Sequence, residues 1–337
     1  MTREQLTAVE DDSILEALDL QRKTGIEVLT DGEMRRDAFM TGLSENVAGF
    51  VEKYPIAEQK RPDGTTVLVQ SHGKAIQGKL QPLRRLAKRE ADFMRAHAGA
   101  PFKITLISPP QVAFTGYRPG VTDTAYATRE DLTRDLVKVI GDEMRALAAE
   151  GVTYMQLDEG LARFAREGWR EDAIKNGEDP DKELAAAIAA ENECWDSLSD
   201  GVTKAMHVCR GNRTTWGGGK GGYDWLAEQA FSELHVDRYV LEYDTERAGG
   251  FEPLRFVPKG KVVVLGLVST KTPVLESQDD LLRRIDEASK FCPVEQLALC
   301  PQCGFQSSAM PDGAFMTMDD ERRKLELIVG TARKVWG

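Results

Sequence analysis

The feature that most constrains the fold of this chain is a repeated alternation of short apolar runs with longer amphipathic stretches. The runs are rich in β-branched residues and apolar along most of their length, which is typical of parallel strands buried on both faces. Between them, apolar residues recur every three or four positions, as in Leu132, Leu136 and Ile140, which predicts helices. The seven runs are IEVLTDGE (26–33), FKITLISPP (102–110), VTYMQLDEG (152–160), TKAMHVCRGN (203–212), DRYVLEYD (237–244), KVVVLGLVS (261–269) and EQLALCPQCGF (295–305).

A strand–helix alternation of this length predicts an α/β fold with a parallel sheet. Seven strands in one domain favour a (β/α)₈ TIM-type barrel over an open doubly wound sheet. No GxGxxG or GxxxxGK[ST] motif follows the first run, which weakens the nucleotide-binding alternative. We therefore expect residues 1–337 to form a single barrel domain.

Two regions depart from a simple barrel. Residues 51–100 are too long for a loop, and we predict that they form an excursion with a hairpin at 66–81 and a basic helix at 83–98. The chain opens in a helical pattern with no strand before it. We therefore expect the first strand of the barrel to be missing from the N-terminus, or the barrel to be open or closed by other means.

The charge balance narrows the range of partners. Lys and Arg number 44 against 55 Asp and Glu, a formal net charge of −11, which argues against nucleic acid or an anionic membrane as the main partner. No apolar run approaches the length of a transmembrane span, and the polar N-terminus does not resemble a signal peptide, so we expect a cytoplasmic protein. Five cysteines without an export signal favour reduced thiols or metal ligands over disulfides.

Polar residues that can bind a metal or take part in catalysis lie at the C-terminal ends of the predicted strands. In a barrel these ends converge on one mouth, where active sites of this architecture lie. Residues two apart on a strand point to the same side, so His207 and Cys209 can present a nitrogen and a sulfur to one ion. The other pairs are Asp31 and Glu33, Asp158 and Glu159, Glu242 and Asp244, and Cys300 and Cys303.

Zinc accepts thiolate, imidazole and carboxylate, so His207, Cys209, Glu242 and Cys303 would make a mixed Zn²⁺ site in which a bound thiol ionises. An H-x-C tripeptide alone is a weak signal, because a buried Cys beside a hydrogen-bonded His is common. A closed site that includes Cys300 instead of a carboxylate would be structural. The pair CPQC could also be redox-active.

The strand-end carboxylates also have two interpretations. Glu33, Asp158 and Glu159 could bind a substrate, or they could be helix caps and salt-bridge partners of Arg35 and Arg36. Their shared position at strand ends makes the substrate role as well supported as the structural one.

Several of these segments resemble the barrel motifs of cobalamin-independent methionine synthase and, more closely, of its short, single-barrel relatives. The resemblance runs from about residue 11 to the C-terminus and is carried by TDGEMRRDAF, YMQLDEG, HVCRGN, YVLEYDTERAGGFEPL, VVVLGLVSTK and LCPQCGFQSS.

The resemblance implies a catalytic barrel that binds Zn²⁺ through four residues. It also implies that Glu33 and Asp158 hold the amino group of homocysteine. The implied reaction transfers a methyl group from 5-methyltetrahydrofolate, as its polyglutamate, to the homocysteine thiol, which makes this an enzyme of methionine biosynthesis. The implied zinc ligands are His207, Cys209, Glu242 and Cys303.

The sequence departs from the family at several positions. Gly160 replaces a proline, Phe164 replaces a glutamate that contacts folate, and Val268 lies near the position of a proposed proton-donating histidine. The second barrel of the long enzymes, and a Gly-Ser strand that grips the homocysteine carboxylate, have no counterpart before Met1.

These departures leave the methyl donor open. The alternatives are alkyl transfer to another thiol, as in epoxyalkane:coenzyme M transferases, or transfer from a methyl-corrinoid protein. A structural zinc protein or an inactive barrel is the non-enzymatic alternative.

Overall fold

The computed structural model describes residues 1–51, 74–211, 220–305 and 316–337, together with the backbone of 56–60 and 66–70. The strands are β1 (Val47–Phe50), β2 (Ile56–Lys60), β3 (Thr66–Gln70), β4 (Ile76–Pro82), β5 (Ile104–Ile107), β6 (Tyr154–Asp158), β7 (Thr203–Val208), β8 (Arg238–Glu242), β9 (Val262–Val268) and β10 (Leu297–Pro301). The helices are α1 (Arg3–Thr24), α2 (Thr41–Asn46), α3 (Lys88–His97), α4 (Pro109–Gly116), α5 (Arg129–Ala149), α6 (Trp169–Lys175), α7 (Pro180–Asp196), α8 (Asp224–Glu233), α9 (Gln278–Ser289) and α10 (Met318–Trp336).

A parallel sheet of six strands, in the order β5 to β10, forms the centre of the molecule. Each strand lies beside the next strand in the chain, with helices between them, as in the predicted barrel. The first apolar run joins this sheet through a parallel bridge between Leu29 and Phe102, with the Leu29 amide 2.9 Å from the Pro101 carbonyl oxygen. The predicted α/β class with a parallel sheet is confirmed.

The position between the Leu29 segment and β10 is where a barrel would have its first strand. Within the described ranges, no strand pairs with either edge at this point. Helices α1 and α10 pack against each other there. Helices therefore cover the gap in the sheet between the Leu29 segment and β10.

The helices begin and end at residues that satisfy their free backbone groups. Thr2 and Gln5 form a capping box at the start of α1, and Gly25, with φ of 89°, ends it in the left-handed conformation. Thr128 caps α5 through the Asp131 amide at 3.1 Å. The apolar face of α5, including Leu132, is fully buried against the sheet core, as the three- and four-residue spacing predicts.

The excursion contains two antiparallel ladders followed by α3. Strand β4 pairs with β1, and β3 pairs with β2, so the strands at 66–70 and 76–82 do not form the predicted hairpin with each other. Pairing β4 with β1 buries Val47 and Ile76 in the common hydrophobic core, at 2% and 0% exposure. The basic helix begins at Lys88, five residues later than predicted.

No helix in the described parts of the chain is long and apolar enough to cross a membrane.

Candidate metal centre

The strand register places the predicted site residues along one rim of the sheet. Asp158 on β6 lies opposite His207 on β7, and Glu242 on β8 lies opposite Gly266 on β9. Cys300 on β10 lies opposite the same Gly266. The C-terminal ends of these parallel strands therefore meet at one mouth, as the sequence predicted.

Three of the four predicted metal ligands form a compact group. The imidazole of His207 and the thiols of Cys209 and Cys303 each offer one ligand atom, and these atoms lie within 4.8 Å of one another. His207 and Cys209 are buried, and Cys303 is half-buried. One nitrogen and two sulfurs at this spacing suit the donor preference of zinc.

The imidazole of His207 is oriented by the backbone. Its Nδ1 lies 3.0 Å from the carbonyl oxygen of Val240, an acceptor only, so Nδ1 carries the hydrogen. The buried Nε2 has no hydrogen-bond partner among the described residues. An imidazole that donates one N–H to a carbonyl and leaves its other nitrogen free is the usual arrangement of a metal-bound histidine.

The electrostatics of the group favour a bound cation. Burial lowers the pKa of His207, but its interaction with Cys209 and the charges of Asp158 and Glu159 outweigh burial and raise that pKa to about 10. Hydrogen bonding with Cys303, together with burial, raises the pKa of the Cys209 thiol well above its ordinary value. The Cys209 thiol therefore ionises only when positive charge is supplied beside it.

Glu242 lies outside this group of three. Its side chain is fully buried, and its carboxylate accepts hydrogen bonds from the Arg210 amide at 2.5 Å, Arg247 Nε at 2.7 Å and Lys271 Nζ at 3.2 Å. Burial raises the pKa of Glu242, but Lys271, Arg247 and Arg210 together bring it below the ordinary value. Its role as the fourth ligand stays a prediction.

Cys300 also lies outside the group. Its thiol donates to the carbonyl oxygen of Pro301 at 2.9 Å, and burial raises its pKa to about 12. The described residues therefore do not form the closed site of three cysteines and one histidine, which was the structural alternative.

Glu33 and Asp158 lie on the same rim. Glu33 adopts a φ of 55°, accepts a hydrogen bond from the Thr105 hydroxyl, and pairs with Arg36 at 3.2 Å. Asp158 Oδ1 accepts from Gln156 Nε2 at 2.6 Å. Burial raises the pKa of Asp158, the charge of His207 opposes this, and the charge of Glu33 adds to it. The charge of Glu33 thus acts on Asp158, as expected of two carboxylates on one rim of the sheet.

Glu159 has a larger part in the site than its sequence position indicates. Its Oε1 lies 3.0 Å from the Cys209 thiol, and burial and Cys209 raise its pKa well above the ordinary value. Its φ of 68° is strained for a residue with a side chain, and such strain clusters at functional sites. Glu33 and Glu159 are the described non-glycine residues with positive φ, and no local sequence signal shows this.

The departures from the family pattern have structural reasons. A side chain at Gly160 would overlap the carboxylate of Glu191, which accepts a hydrogen bond from the Ser108 hydroxyl there. Phe164 is buried, with its ring edge-on to Trp169 at 4.7 Å. Val268 is fully buried at the end of β9.

Residues 115–318 match the family described as the catalytic domain of cobalamin-independent synthase. Protein YxjG of Bacillus subtilis (strain 168), which is uncharacterized, is 35% identical over 341 residues, covering 100% of this chain and 88% of YxjG. The chain belongs to this family. The resemblance found in the sequence is thereby confirmed, and the family is one of methyltransferase enzymes.

Relatives with assigned names agree with this family. The methionine synthase of Sulfurisphaera tokodaii (strain DSM 16993 / JCM 10545 / NBRC 100140 / 7) is 25% identical over 305 residues, which cover 90% of this chain and 78% of that enzyme. The fold resembles a B12-independent methionine synthase from Shewanella sp. W3-18-1, solved with selenomethionine, at a TM-score of 0.75 and 21% identity. That likeness covers 99% of this chain and 90% of the Shewanella chain, and it supports the barrel fold.

Proposed function

We propose that this chain is a zinc-dependent S-methyltransferase that moves a methyl group from 5-methyltetrahydrofolate, as its polyglutamate, to the thiol of homocysteine. The observation that carries the proposal is the close group of His207, Cys209 and Cys303, in which His207 Nε2 has no described partner. Family membership supplies the reaction class, and this group supplies the donors that zinc prefers.

His207, Cys209 and Cys303 would hold the zinc, with Glu242 as the proposed fourth ligand. Bound zinc would supply Lewis acidity that keeps a substrate thiol ionised at neutral pH. The chain prepares this centre itself: the Val240 carbonyl fixes the imidazole, and the Gly211 amide lies 3.4 Å from the Cys209 sulfur.

Glu33 and Asp158 would hold the amino group of homocysteine and so position its thiol. Arg36 and the Thr105 hydroxyl fix the carboxylate of Glu33, while Gln156 fixes that of Asp158. Two carboxylates facing one ammonium group orient the substrate before reaction, which lowers the entropic part of the barrier.

The folate donor is proposed from the family alone, since the glutamate expected to contact folate is replaced by the buried Phe164 in this chain. We also propose that residues 1–337 act as one catalytic domain in the cytoplasm. Transfer to a different thiol, or from a methyl-corrinoid protein, is an outcome that the assay below separates.

The test combines metal content with donor and acceptor specificity. We expect the purified protein to hold one zinc per chain, and Cys209→Ser and Cys303→Ser to lose it. Cys292→Ser, at a buried thiol outside the group, and Cys300→Ser should both retain zinc.

We expect methionine to form from homocysteine and methyl-folate polyglutamate. Turnover only with methylcobalamin, or only with an epoxide and coenzyme M, would overturn the proposed donor. Loss of zinc from Cys300→Ser would overturn the ligand assignment.

A further inference from the structure

Two fully buried carboxylates, those of Glu242 and Asp244, lie beside the metal centre and share one lysine. Lys271 Nζ lies 2.6 Å from Asp244 Oδ2 and 3.2 Å from Glu242 Oε1. Lys271 follows β9, and its side chain is itself 9% exposed. The charge of Lys271 interacts strongly with the two carboxylates, because little water screens a cation in this buried position.

The Oε1 oxygen of Glu242 is fully occupied by donors, whereas Oε2 accepts one hydrogen bond. Oε1 accepts from Lys271 and from Arg247 Nε, and Oε2 accepts from the Arg210 amide. A carboxylate oxygen has about two lone-pair sites. A metal ion can therefore bond Oε1 only if Lys271 or Arg247 gives up its contact.

The local charge also disfavours an incoming dication. Lys271, Arg247 and Arg210 place three positive side chains around the two carboxylates, within 3.8 Å of a carboxylate oxygen in each case. The cluster around Glu242 is thus net positive before any metal ion arrives. In a buried site that positive charge repels zinc at short range.

We propose that Lys271 competes with the metal ion for Glu242 and so sets a weakened zinc affinity at this centre. The inference rests on the proposed function, since it takes His207, Cys209 and Cys303 as zinc ligands. It is opposite in sign to the usual effect, in which a hydrogen-bond partner of a ligand supports metal binding and its loss costs 10- to 100-fold in affinity.

The test is the zinc dissociation constant, measured by competition with a chromophoric chelator. We expect Lys271→Met to bind zinc about tenfold more tightly than the unmodified chain. Lys261→Met is the matched control, because Lys261 precedes the same strand at its opposite end and contacts Tyr239 at 3.3 Å. It should leave the zinc affinity unchanged.

A second variant separates hydrogen bonding from net charge and from misfolding. Asp244→Asn combined with Lys271→Met removes one carboxylate and its lysine together. The net charge is then unchanged, and position 244 does not hold a buried carboxylate without a counter-ion. We expect this double variant to fold, as judged by circular dichroism, and to bind zinc more tightly as well.

Unchanged or weaker zinc binding in the folded variants would overturn the competition. Cys209→Ser, measured in the same series, separates the two proposals. Retention of zinc by Cys209→Ser would overturn the metal centre itself, whereas loss of zinc there with no gain in the Lys271 variants would overturn only the competition.

Discussion

At the residue scale, the orientation of Gln156 follows from its two neighbours. Lys103 Nζ, which can only donate, lies 2.7 Å from Gln156 Oε1, so the amide nitrogen must face Asp158. This chain of contacts fixes Asp158 Oδ1 and leaves the other oxygen for a substrate. Lys103 is therefore a positioning residue for the proposed amino-group site.

We expect Lys103→Met to raise the KM for homocysteine about tenfold with little change in kcat, because a hydrogen bond to a charged group contributes about 1.5–3 kcal/mol. Steady-state kinetics measure this. Lys138→Met, at an exposed position on α5, is the control and should leave both constants unchanged. A tenfold fall of kcat in Lys103→Met, with KM unchanged, would contradict the positioning role.

Glu191 makes stability depend on pH. Burial raises its pKa to about 7, although the hydrogen bond from the Ser108 hydroxyl opposes the rise. Between pH 4.5, the ordinary pKa of this group, and pH 7, the folded state keeps a proton on Glu191 that the unfolded state releases. The contribution of Glu191 to the free energy of unfolding is fully present below pH 4.5. It is lost as the pH rises through 7, and the loss is up to about 3 kcal/mol.

Urea unfolding at pH 5 and pH 8 checks this expectation. Glu191→Gln should lose less stability than the unmodified chain between these values. Glu193→Gln, at an exposed position on the same helix, should behave like the unmodified chain. The same pH dependence in all three proteins would contradict the account.

The close group of His207, Cys209 and Cys303 could be predicted from residue types and from their positions at the ends of β7 and β10, because the ends of parallel strands converge on one mouth. The environment of Glu242 could not be predicted in the same way. Arg247 and Lys271 reach it from different loops, and only the tertiary fold brings them together. Glu191 lies on α7 and fills the space at Gly160, a contact with no local sequence signal.

At the scale of elements, β9 is held close to both neighbours by Gly266. A Cβ there would lie 2.8 Å from the Leu241 carbonyl oxygen and 2.9 Å from the Gln302 Cα, both of which are backbone atoms. Strands β8 and β10 would have to move apart, and they lead to Glu242 and Cys303. Close packing of three strands thus sets the spacing of the site.

We expect Gly266→Ala to destabilise the fold by about 1–3 kcal/mol and to weaken zinc retention. Gly330→Ala on α10 is the matched control, since a Cβ there meets only Gln278 Nε2 at 3.5 Å, and alanine should stabilise that helix by up to about 1 kcal/mol. Urea unfolding and metal analysis measure both effects. Full stability and full zinc content in Gly266→Ala would contradict the argument.

The central strands could be predicted because each is a buried apolar run between helical patterns. The pairing within the excursion could not, because β1 and β4 are joined over a long intervening segment. Antiparallel register depends on which faces become buried, and this is decided by the rest of the fold.

At the scale of the whole molecule, the proposed metal joins distant parts of the barrel. His207 lies on β7, Cys209 just after it, and Cys303 after β10. A ligand that binds only the folded state stabilises it by about 4 kcal/mol at a thousand times its dissociation constant. The metal should therefore act as a cross-link between β7 and β10.

Removing the metal should lower the melting temperature by roughly 5 °C. Circular dichroism before and after chelation, and after zinc is restored, measures this. Cys209→Ser should melt at the same temperature with and without the chelator. An equal response of Cys209→Ser and the unmodified chain would contradict a stabilising metal at this position.

The α/β class with its parallel sheet followed from the alternation of strands and helices, since this pattern has few stable layer arrangements. The alternation did not show what covers the gap between the Leu29 segment and β10. The contact between α1 and α10 joins opposite ends of the chain, and sequence periodicity carries no information about such contacts.

The central claim is that His207, Cys209 and Cys303 bind a zinc ion that accepts the substrate thiol. X-ray absorption at the zinc edge, with and without homocysteine, tests it most directly. We expect two sulfur ligands with nitrogen and oxygen in the resting protein, and a third sulfur when homocysteine is added. A zinc shell that does not change when homocysteine is added would show that the zinc does not accept the substrate thiol.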